Sequence, residues 1–334
     1  MTFILPKITS QDFIKRLKKR KFEDLDCIQT TEKLLLKKRG YIFKMPPKDS
    51  SVILLVSGGL DSIVAWNLLM HIYRLKVYPL FLNRLSKRTK KEIKAINFFS
   101  KYFKKKYPKL FVRPFYFSVY LPPPEVKENV LSAQKLHPKI ILENLSLKTM
   151  ISIYYNAQNL SSYTIPLYGA IYSNMLKNNY NKNIKTIFVA VGGDDGLLAS
   201  GQTFTALRST ILTMCVATAD FSWNFASLFL EKELGHWLNK TEVIKLGHAL
   251  KLPLEKTWSC YQPKRLQCGN KCLACFDRKK SFKTAKVLDK TKYSPGKLNK
   301  ALTRFAKIFY SKCNRLFYKI SKRTRKEGHE KRSS

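Results

Sequence analysis

Acidic residues are scarce in this chain: 22 Asp and Glu stand against 63 Lys and Arg, a formal net charge of +41. An excess of that sign attracts polyanions such as tRNA, DNA, ATP or an anionic membrane. A lysine-rich composition with solvated faces produces it equally, so the charge alone names no function. Long hydrophobic runs are also missing, which argues against a membrane-spanning helix. The nearest candidate, residues 211–230, is interrupted by Asp220, Trp223 and Asn224 and reads as a buried helix. The opening MTFILPKITSQDF lacks the basic flank, apolar stretch and small-residue site of a signal peptide, so a cytoplasmic protein is expected. No repeat of fixed period occurs. The histidines His71, His137, His236, His248 and His329 show no paired spacing of a metal site or catalytic couple and read as structural.

What is present is a globular composition. Hydrophobic residues make up 45% and aromatics 13% of 334 residues, enough for a core and against wholesale disorder. Residues 1–50 read as a basic helical extension. Ser10 is placed to cap a helix running to Arg20 with Phe13, Ile14 and Leu17 on one face, and a second short helix is expected over 31–39. Met45-Pro46-Pro47 closes the extension. The run SVILLVSGGLDSIVAWNLLMHIY then reads as strand, glycine turn and helix. Further strand-like runs at 76–82, 110–119 and 186–191 alternate with helical segments, which predicts a mostly parallel sheet covered on both faces. Pro122-Pro123-Pro124 marks a rigid loop. The last 41 residues, 294–334, carry 13 basic and 2 acidic side chains. Leu298, Leu302, Phe305, Phe309, Leu316 and Ile320 recur there at helical spacing, an amphipathic helix that either docks on the domain or recruits a polyanion.

Two motifs carry chemistry. The first is Ser57-Gly58-Gly59-Leu60-Asp61-Ser62, directly after the apolar run 52–56. Adjacent glycines let a backbone approach a phosphate closely with its N–H groups inward, Ser57 and Ser62 add hydroxyls, and the following helix presents its positive end. The Lys-Ser/Thr pair of a Walker loop and the third glycine of a dinucleotide fingerprint are both absent. The second motif is the cluster Cys260, Cys268, Cys272 and Cys275, four of the seven cysteines within sixteen residues. Four thiolates at this spacing suit structural Zn²⁺, with an iron–sulfur cluster as the competitor and disulfides a poor third. Gly269 eases the turn between ligands, and Lys264, Arg265, Lys271, Arg278 and Lys279 are near enough in sequence to offset the thiolate charge. Cys27, Cys215 and Cys313 are scattered and read as ordinary thiols.

The glycine loop resembles the SGGxDS signature of the N-type ATP pyrophosphatases, the PP-loop superfamily. With the cysteines, the chain resembles that superfamily's 7-cyano-7-deazaguanine synthase (QueC-like) branch across roughly residues 51–293. Leu238-Asn239-Lys240-Thr241-Glu242-Val243-Ile244-Lys245-Leu246-Gly247 is similar to the branch's L-x-K-x-E-x-I-x-x-G pattern. Pro253, Thr257-Trp258-Ser259-Cys260-Tyr261, Arg278, Phe282, Ala285 and Asp289-Lys290-Thr291-Lys292-Tyr293 follow in order.

The resemblance implies an α/β fold, a Rossmann-like doubly wound parallel sheet of the adenine nucleotide alpha hydrolase (HUP) type with a C-terminal zinc-binding subdomain. The implied plan is an ATP-binding domain over 51–255, a four-cysteine zinc segment over 256–293 and the basic tail over 294–334. The activity implied is adenylation of 7-carboxy-7-deazaguanine with release of pyrophosphate, amide formation with ammonia, and dehydration to the nitrile with a second ATP. ATP would lie on residues 57–62 with Asp61 helping to place Mg²⁺, and the four cysteines would bind Zn²⁺. Lys240 is the candidate for the α-phosphate or substrate carboxylate, against a solvated helix lysine. Asp195 is the candidate for a base or ribose, against an ordinary cap, with Asp194 in reserve. Arg278 would hold a phosphate or offset the thiolates.

Departures from the branch cluster in its substrate pocket. Ile165-Pro166-Leu167-Tyr168-Gly169 lacks the expected Arg-Asn pair, and Gly192-Gly193-Asp194-Asp195-Gly196 is followed by Leu197-Leu198-Ala199-Ser200-Gly201-Gln202 in place of Gly-Tyr-Pro-Asp-Cys-Arg. The cysteine spacing is one residue longer, through Asn270-Lys271. Four functions stay open: a small-molecule synthase; a defence-associated relative that attaches a deazaguanine-type group to a protein or nucleic acid; a tRNA sulfur transferase; and a non-enzymatic zinc-stapled nucleic-acid-binding module. Expected partners are the deazaguanine carboxylate and ammonia, a protein or nucleic-acid acceptor at the tail, and a second copy of the chain in a homodimer.

Overall fold

The computed structural model describes residues 5–121, 145–197, 199–262, 265–269 and 272–294. The expected rigid loop at Pro122-Pro123-Pro124 and the amphipathic tail beyond residue 294 lie outside them. Seven strands form one sheet in the order β3-β2-β1-β4-β5-β6-β7. They are β1 (Ser51–Leu55), β2 (Lys76–Asn83), β3 (Phe115–Ser118), β4 (Thr186–Val189), β5 (Asn224–Ser227), β6 (Leu230–Glu231) and β7 (His236–Trp237). The run from β3 to β5 is parallel, as expected for a doubly wound fold. The two short strands at the far edge are antiparallel, because the chain between β5 and β6 is too short for a crossover.

Strand β1 is apolar from Val52 to Leu55 because both of its faces are covered. Val52 and Leu54 face one core, with Trp66, Ile96 and Phe99. Ile53 and Leu55 face the other, with Tyr172, Leu176 and Phe204. The first core is closed by helices α3 (Leu60–His71), α4 (Thr89–Lys106) and α7 (Lys240–Ala249). The second is closed by α5 (Leu145–Tyr180) and α6 (Phe204–Ala217) together with the N-terminal helices. Helix α8 (Leu273–Ala285) follows the cysteines. Strand β1 lies between β2 and β4, so connections leave it in opposite directions. The carboxyl ends of β1 and β4 therefore form a topological switch point, where open α/β sheets bind ligands.

Three expectations need correction. The first N-terminal helix, α1 (Ser10–Lys18), is capped by Thr9, whose hydroxyl accepts from Asp12 N, and not by Ser10. The second, α2 (Leu25–Arg39), starts well before residue 31 because Asp24 caps it. Residues 211–230 are not one helix: α6 stops at Ala217 and the chain reverses into β5. Asp220 enforces that stop by accepting from Ser222 N at 2.8 Å and pairing with Lys185 at 2.8 Å, while Ala219 takes φ +50°.

The boundary expected after residue 50 does not separate two cores. Phe13, Leu17, Ile28 and Leu35 are fully buried in the second core. The Phe13 ring meets Phe204 at 4.8 Å and Trp237 at 4.9 Å, both edge-on. Glu23 sits at the amino end of α6 and accepts from Phe204 N, Thr205 N and the Thr205 hydroxyl, where a carboxylate complements the helix dipole. Deeper in, Arg208 makes a two-pronged contact with Glu231 at 2.6 and 2.9 Å and donates to Glu32 of α2 at 2.9 Å. Lys232 pairs with the other Glu32 oxygen.

Arg208 and Glu231 are essentially inaccessible, so removing Glu231 leaves the Arg208 guanidinium buried with Glu32 alone, a carboxylate it shares with Lys232. Glu231→Ala is expected to cost about 3–5 kcal/mol, read as a fall in unfolding free energy from urea titration.

Candidate active site

The phosphate-loop motif leaves β1 at the switch point. Gly58 has φ +70°, and a Cβ there would lie 2.6 Å from the Glu92 carbonyl oxygen and 3.3 Å from the Ala95 Cβ. Only glycine admits both that backbone and that approach of α4. The loop is tied internally. Ser57 N donates to the Ser62 hydroxyl at 3.2 Å, Gly59 N donates to the Ser57 hydroxyl at 3.3 Å, and the Ser62 hydroxyl donates to the Gly59 carbonyl at 3.1 Å. Ser57 is exposed and Ser62 buried. Leu60 anchors the start of α3 in the core. The Gly58 carbonyl accepts from Trp258 N at 2.9 Å, which pins the loop to the chain leading into the cysteines.

Lys240 comes to this loop from another element. Asn239 caps α7 in a reciprocal box with Glu242, which sets Lys240 at the first helical position. Close packing fixes the helix, since a Cβ on Gly247 would meet Val64 Cγ2 at 2.9 Å and Leu254 Cδ2 at 2.8 Å. The Lys240 ammonium lies 3.3 Å from Asp61 Oδ2 and 3.5 Å from Asp277 Oδ2. Asp61 above all, against the cost of burial, raises the lysine pKa, with Asp195 and Asp277 adding to it. The ammonium therefore stays charged. It is not a solvated helix lysine.

Asp195 sits after β4, across the switch point from the loop, in a 3-10 turn spanning Asp195–Leu197. Its carboxylate turns back to accept from Gly192 N at 2.7 Å. Burial pushes its pKa up to about 6 although Lys240 pulls the other way. Asp194 points elsewhere and pairs with Arg20 at 3.3 Å. Arg20 in turn lies over the Trp237 ring, 5.5 Å from its centre. Thus the link between α1 and α2 supplies a cation beside Asp194, just before the stretch 197–202.

The four cysteines converge as expected, with sulfurs all within 4.8 Å of one another. Gly269 has φ +71° at the turn between ligands. Backbone N–H groups of Gln262 and Cys268 each point at Cys260 Sγ at 3.3 Å. Buried Gln267 braces the segment by accepting from Ser259 N and donating to the Thr257 carbonyl. Hydrogen bonds from Cys260 and Cys275 drive the Cys272 thiol well below its ordinary value, while burial pushes Cys268 up to about 12. Thiolates this close repel one another unless a cation joins them. The donor set therefore fits a tetrahedral metal or a cluster, and either would draw all four thiolates. Cys27 and Cys215 lie outside the group.

Arg278 is taken up elsewhere. It is 1% exposed and donates to the hydroxyls of Thr257, Ser259 and Thr291 and to the Leu254 carbonyl. These partners make it a tie between α8 and the chain segments around 254–259 and Thr291, with no hydrogen bond to a cysteine sulfur. Two residues escaped sequence reasoning. Asp277 had a weak local signal, two places after Cys275 on the ligand-bearing helix. Arg20 had none, because its contact spans most of the chain.

Comparison with known proteins gives a partial likeness. Residues 211–286 match the family model described as "Queuosine biosynthesis protein QueC". That stretch contains Lys240, all four cysteines and Asp277, and does not include the phosphate loop. A 7-cyano-7-deazaguanine synthase of Campylobacter fetus is 33% identical over 109 residues, 33% of this chain and 46% of that protein. One from Methanobrevibacter smithii is 44% identical over 57 residues, 17% of this chain and 25% of that protein. The chain thus spans less than half the length of these curated relatives. Among solved structures, the U34-tRNA thiolase NcsA from Methanococcus maripaludis with its [4Fe-4S] cluster matches at TM-score 0.33 and 14% identity, covering 84% of this chain and 77% of that one. A likeness that distant assigns nothing here.

Gly58→Ala puts a methyl against the Glu92 carbonyl at a positive φ. The expected loss is about 1–3 kcal/mol of stability, measured by urea unfolding, with faster hydrogen exchange confined to the loop and the start of α3.

Proposed function

We propose that this chain, QueC-like across residues 211–286, is an ATP-dependent PP-loop enzyme that adenylates a carboxylate with release of pyrophosphate. Its acceptor is 7-carboxy-7-deazaguanine or a close relative, carried on to the amide and the nitrile. The supporting observation is the convergence at one switch point of the glycine loop, Asp61 and Lys240, with Asp195 on the facing strand end.

The chemistry follows from charge. An oxygen of the acceptor carboxylate attacks the α-phosphorus, the bond to the bridging oxygen breaks, and pyrophosphate departs with the electron pair. Negative charge grows on the leaving pyrophosphate and the non-bridging α-oxygens. Loop N–H groups and the exposed Ser57 hydroxyl receive the pyrophosphate, Ser62 shapes the loop from beneath by donating to the Gly59 carbonyl, and the Lys240 ammonium meets the charge at the α-phosphate. Asp61 holds that ammonium now and, with nucleotide bound, helps seat the Mg²⁺ that accompanies ATP. Asp195, half-buried beside Lys240, is the acceptor for ribose or base N–H and O–H groups. Ammonia then displaces AMP from the acyl-adenylate to give the amide. A second adenylation on the amide oxygen lets AMP leave with that oxygen, giving the nitrile after loss of two protons. Ser57, Gly58, Gly59, Leu60, Asp61 and Ser62 form the nucleotide cradle.

Cys260, Cys268, Cys272 and Cys275 hold Zn²⁺, which with four thiolates has no open position and serves as a crosslink. Arg278 is not carried forward as a phosphate ligand. A second reading, transfer of the activated group to a protein or nucleic acid, is favoured by the altered stretch at 197–202 and by the basic surplus of residues 294–334. The cysteine grouping disfavours sulfur transfer, since all four lie in one ligand set and leave no persulfide carrier at the loop among the described residues.

Two measurements test this. Protein purified anaerobically should be colourless and hold about one zinc per chain, as a four-thiolate zinc site does; stoichiometric iron and sulfide would replace zinc with a cluster. With ATP-Mg²⁺, ammonia and 7-carboxy-7-deazaguanine, the chain should yield AMP and pyrophosphate, and Ser57→Ala or Asp61→Ala should slow this by about 10²–10³-fold. Pyrophosphate release only on adding a macromolecular acceptor would select the second reading. Release of ADP and phosphate, or wild-type rates in both variants, would remove adenylation altogether.

A further inference from the structure

The cysteine subdomain touches the nucleotide site at two separate points. Trp258, two residues before the first cysteine, donates its backbone N–H to the Gly58 carbonyl at 2.9 Å. Asp277, two residues after the last, reaches Lys240 at 3.5 Å. Cys272 is the residue that opens α8, and Cys275 lies in its first turn. The position and axis of this helix are thus set where the sulfurs meet. Cations from the start of α4 lie over the same segment, Arg88 over the Tyr261 ring at 4.8 Å and Lys91 over Trp258 at 5.7 Å. Lys240 is therefore held from two sides, by Asp61 of the phosphate-loop helix and by Asp277 of the thiolate-bearing helix.

We propose that Asp277 is a positioning residue that ties Lys240 to the thiolate-bearing helix, so that closure of the metal site fixes where the active-site cation stands. The proposal rests on the nucleotide-site reading above for its consequence, though the tie itself is a matter of geometry. A lysine has four rotatable bonds and, held by one carboxylate alone, swings about that contact. A second carboxylate on a different element reduces it to one location. When nucleotide displaces Asp61 from the ammonium, Asp277 is the anchor that remains. Asp277 is 45% exposed at its side chain, so its contribution to global stability is small. Its effect lies in aim: a catalytic group displaced by about 1 Å loses on the order of 10²-fold in rate. Cys260, Cys268, Cys272 and Cys275 would hold the metal, and its closure of their segment would stiffen the helix that carries the anchor.

The test reads Lys240 directly, independent of turnover. Full-length, zinc-loaded protein is acetylated with a limiting amine-reactive ester, and modification of Lys240 is quantified by peptide mass spectrometry. Asp277→Asn should raise the Lys240 rate severalfold while zinc content, melting temperature and modification of remote lysines such as Lys185 stay unchanged. Asp277→Glu should restore protection. Zinc chelation should raise the Lys240 rate in wild type and add little to Asp277→Asn, since the two changes cut the same tie. Equal Lys240 rates in wild type and Asp277→Asn, or additive effects of chelation and substitution, would overturn the proposal. Binding of the non-hydrolysable α,β-methylene ATP with Mg²⁺ is measured alongside. Its absence in wild type defeats the nucleotide-site reading, whereas the tie stands or falls on the acetylation rates alone.

Discussion

Everything near the site depends on how the chain leaves strand β1. Gly58 turns with a positive φ and lets its backbone lie against the Glu92 carbonyl, closer than any side chain allows. That single close approach lets α4 cover the loop from one side while Trp258 pins it from another. It also starts α3 at the right place for Asp61 to meet Lys240. The internal serine hydrogen bonds then hold the loop in shape.

Around this loop the protein gathers charge from four elements. Asp61 comes from α3, Lys240 from α7, Asp277 from α8 and Asp195 from the turn after β4. One ammonium among three carboxylates leaves this cluster acidic in a chain that is strongly basic overall. A nucleotide with its divalent cation suits such a pocket better than a bare polyanion does. The +41 therefore describes the outer surface more than the site, and the densest part of it lies in the tail.

The N-terminal helices change how the boundary of the folded domain is drawn. They fill the second core, cap α6 through Glu23 and close a buried charge network through Glu32. Arg20 stands beside Asp194, just before the stretch 197–202. Helix propensity and spacing announced helices there, but placed their ends poorly, because Thr9 and Asp24 cap them where Ser10 and residue 31 were expected. Residues 211–230 misled for a related reason. A continuous apolar composition does not separate a buried helix from a helix followed by a buried strand, and only the Asp220 turn divides them.

Some features were legible because they are local. Gly58, the serines, the parallel strands and the four sulfurs each depend on spacing within a short segment, and the chain's own geometry carries the outcome. Others were decided by the tertiary structure, because they join elements far apart in sequence. The raised charge preference of Lys240, the burial that pushes Asp195 up to about 6, the hydrogen bonds of the two terminal Arg278 nitrogens and the Asp277 anchor all arise from through-space neighbours. Sequence by itself determined which chemical groups the protein owns. Folding alone decided which of them face each other, since electrostatic and hydrogen-bonding partners are chosen by distance in space and not along the chain.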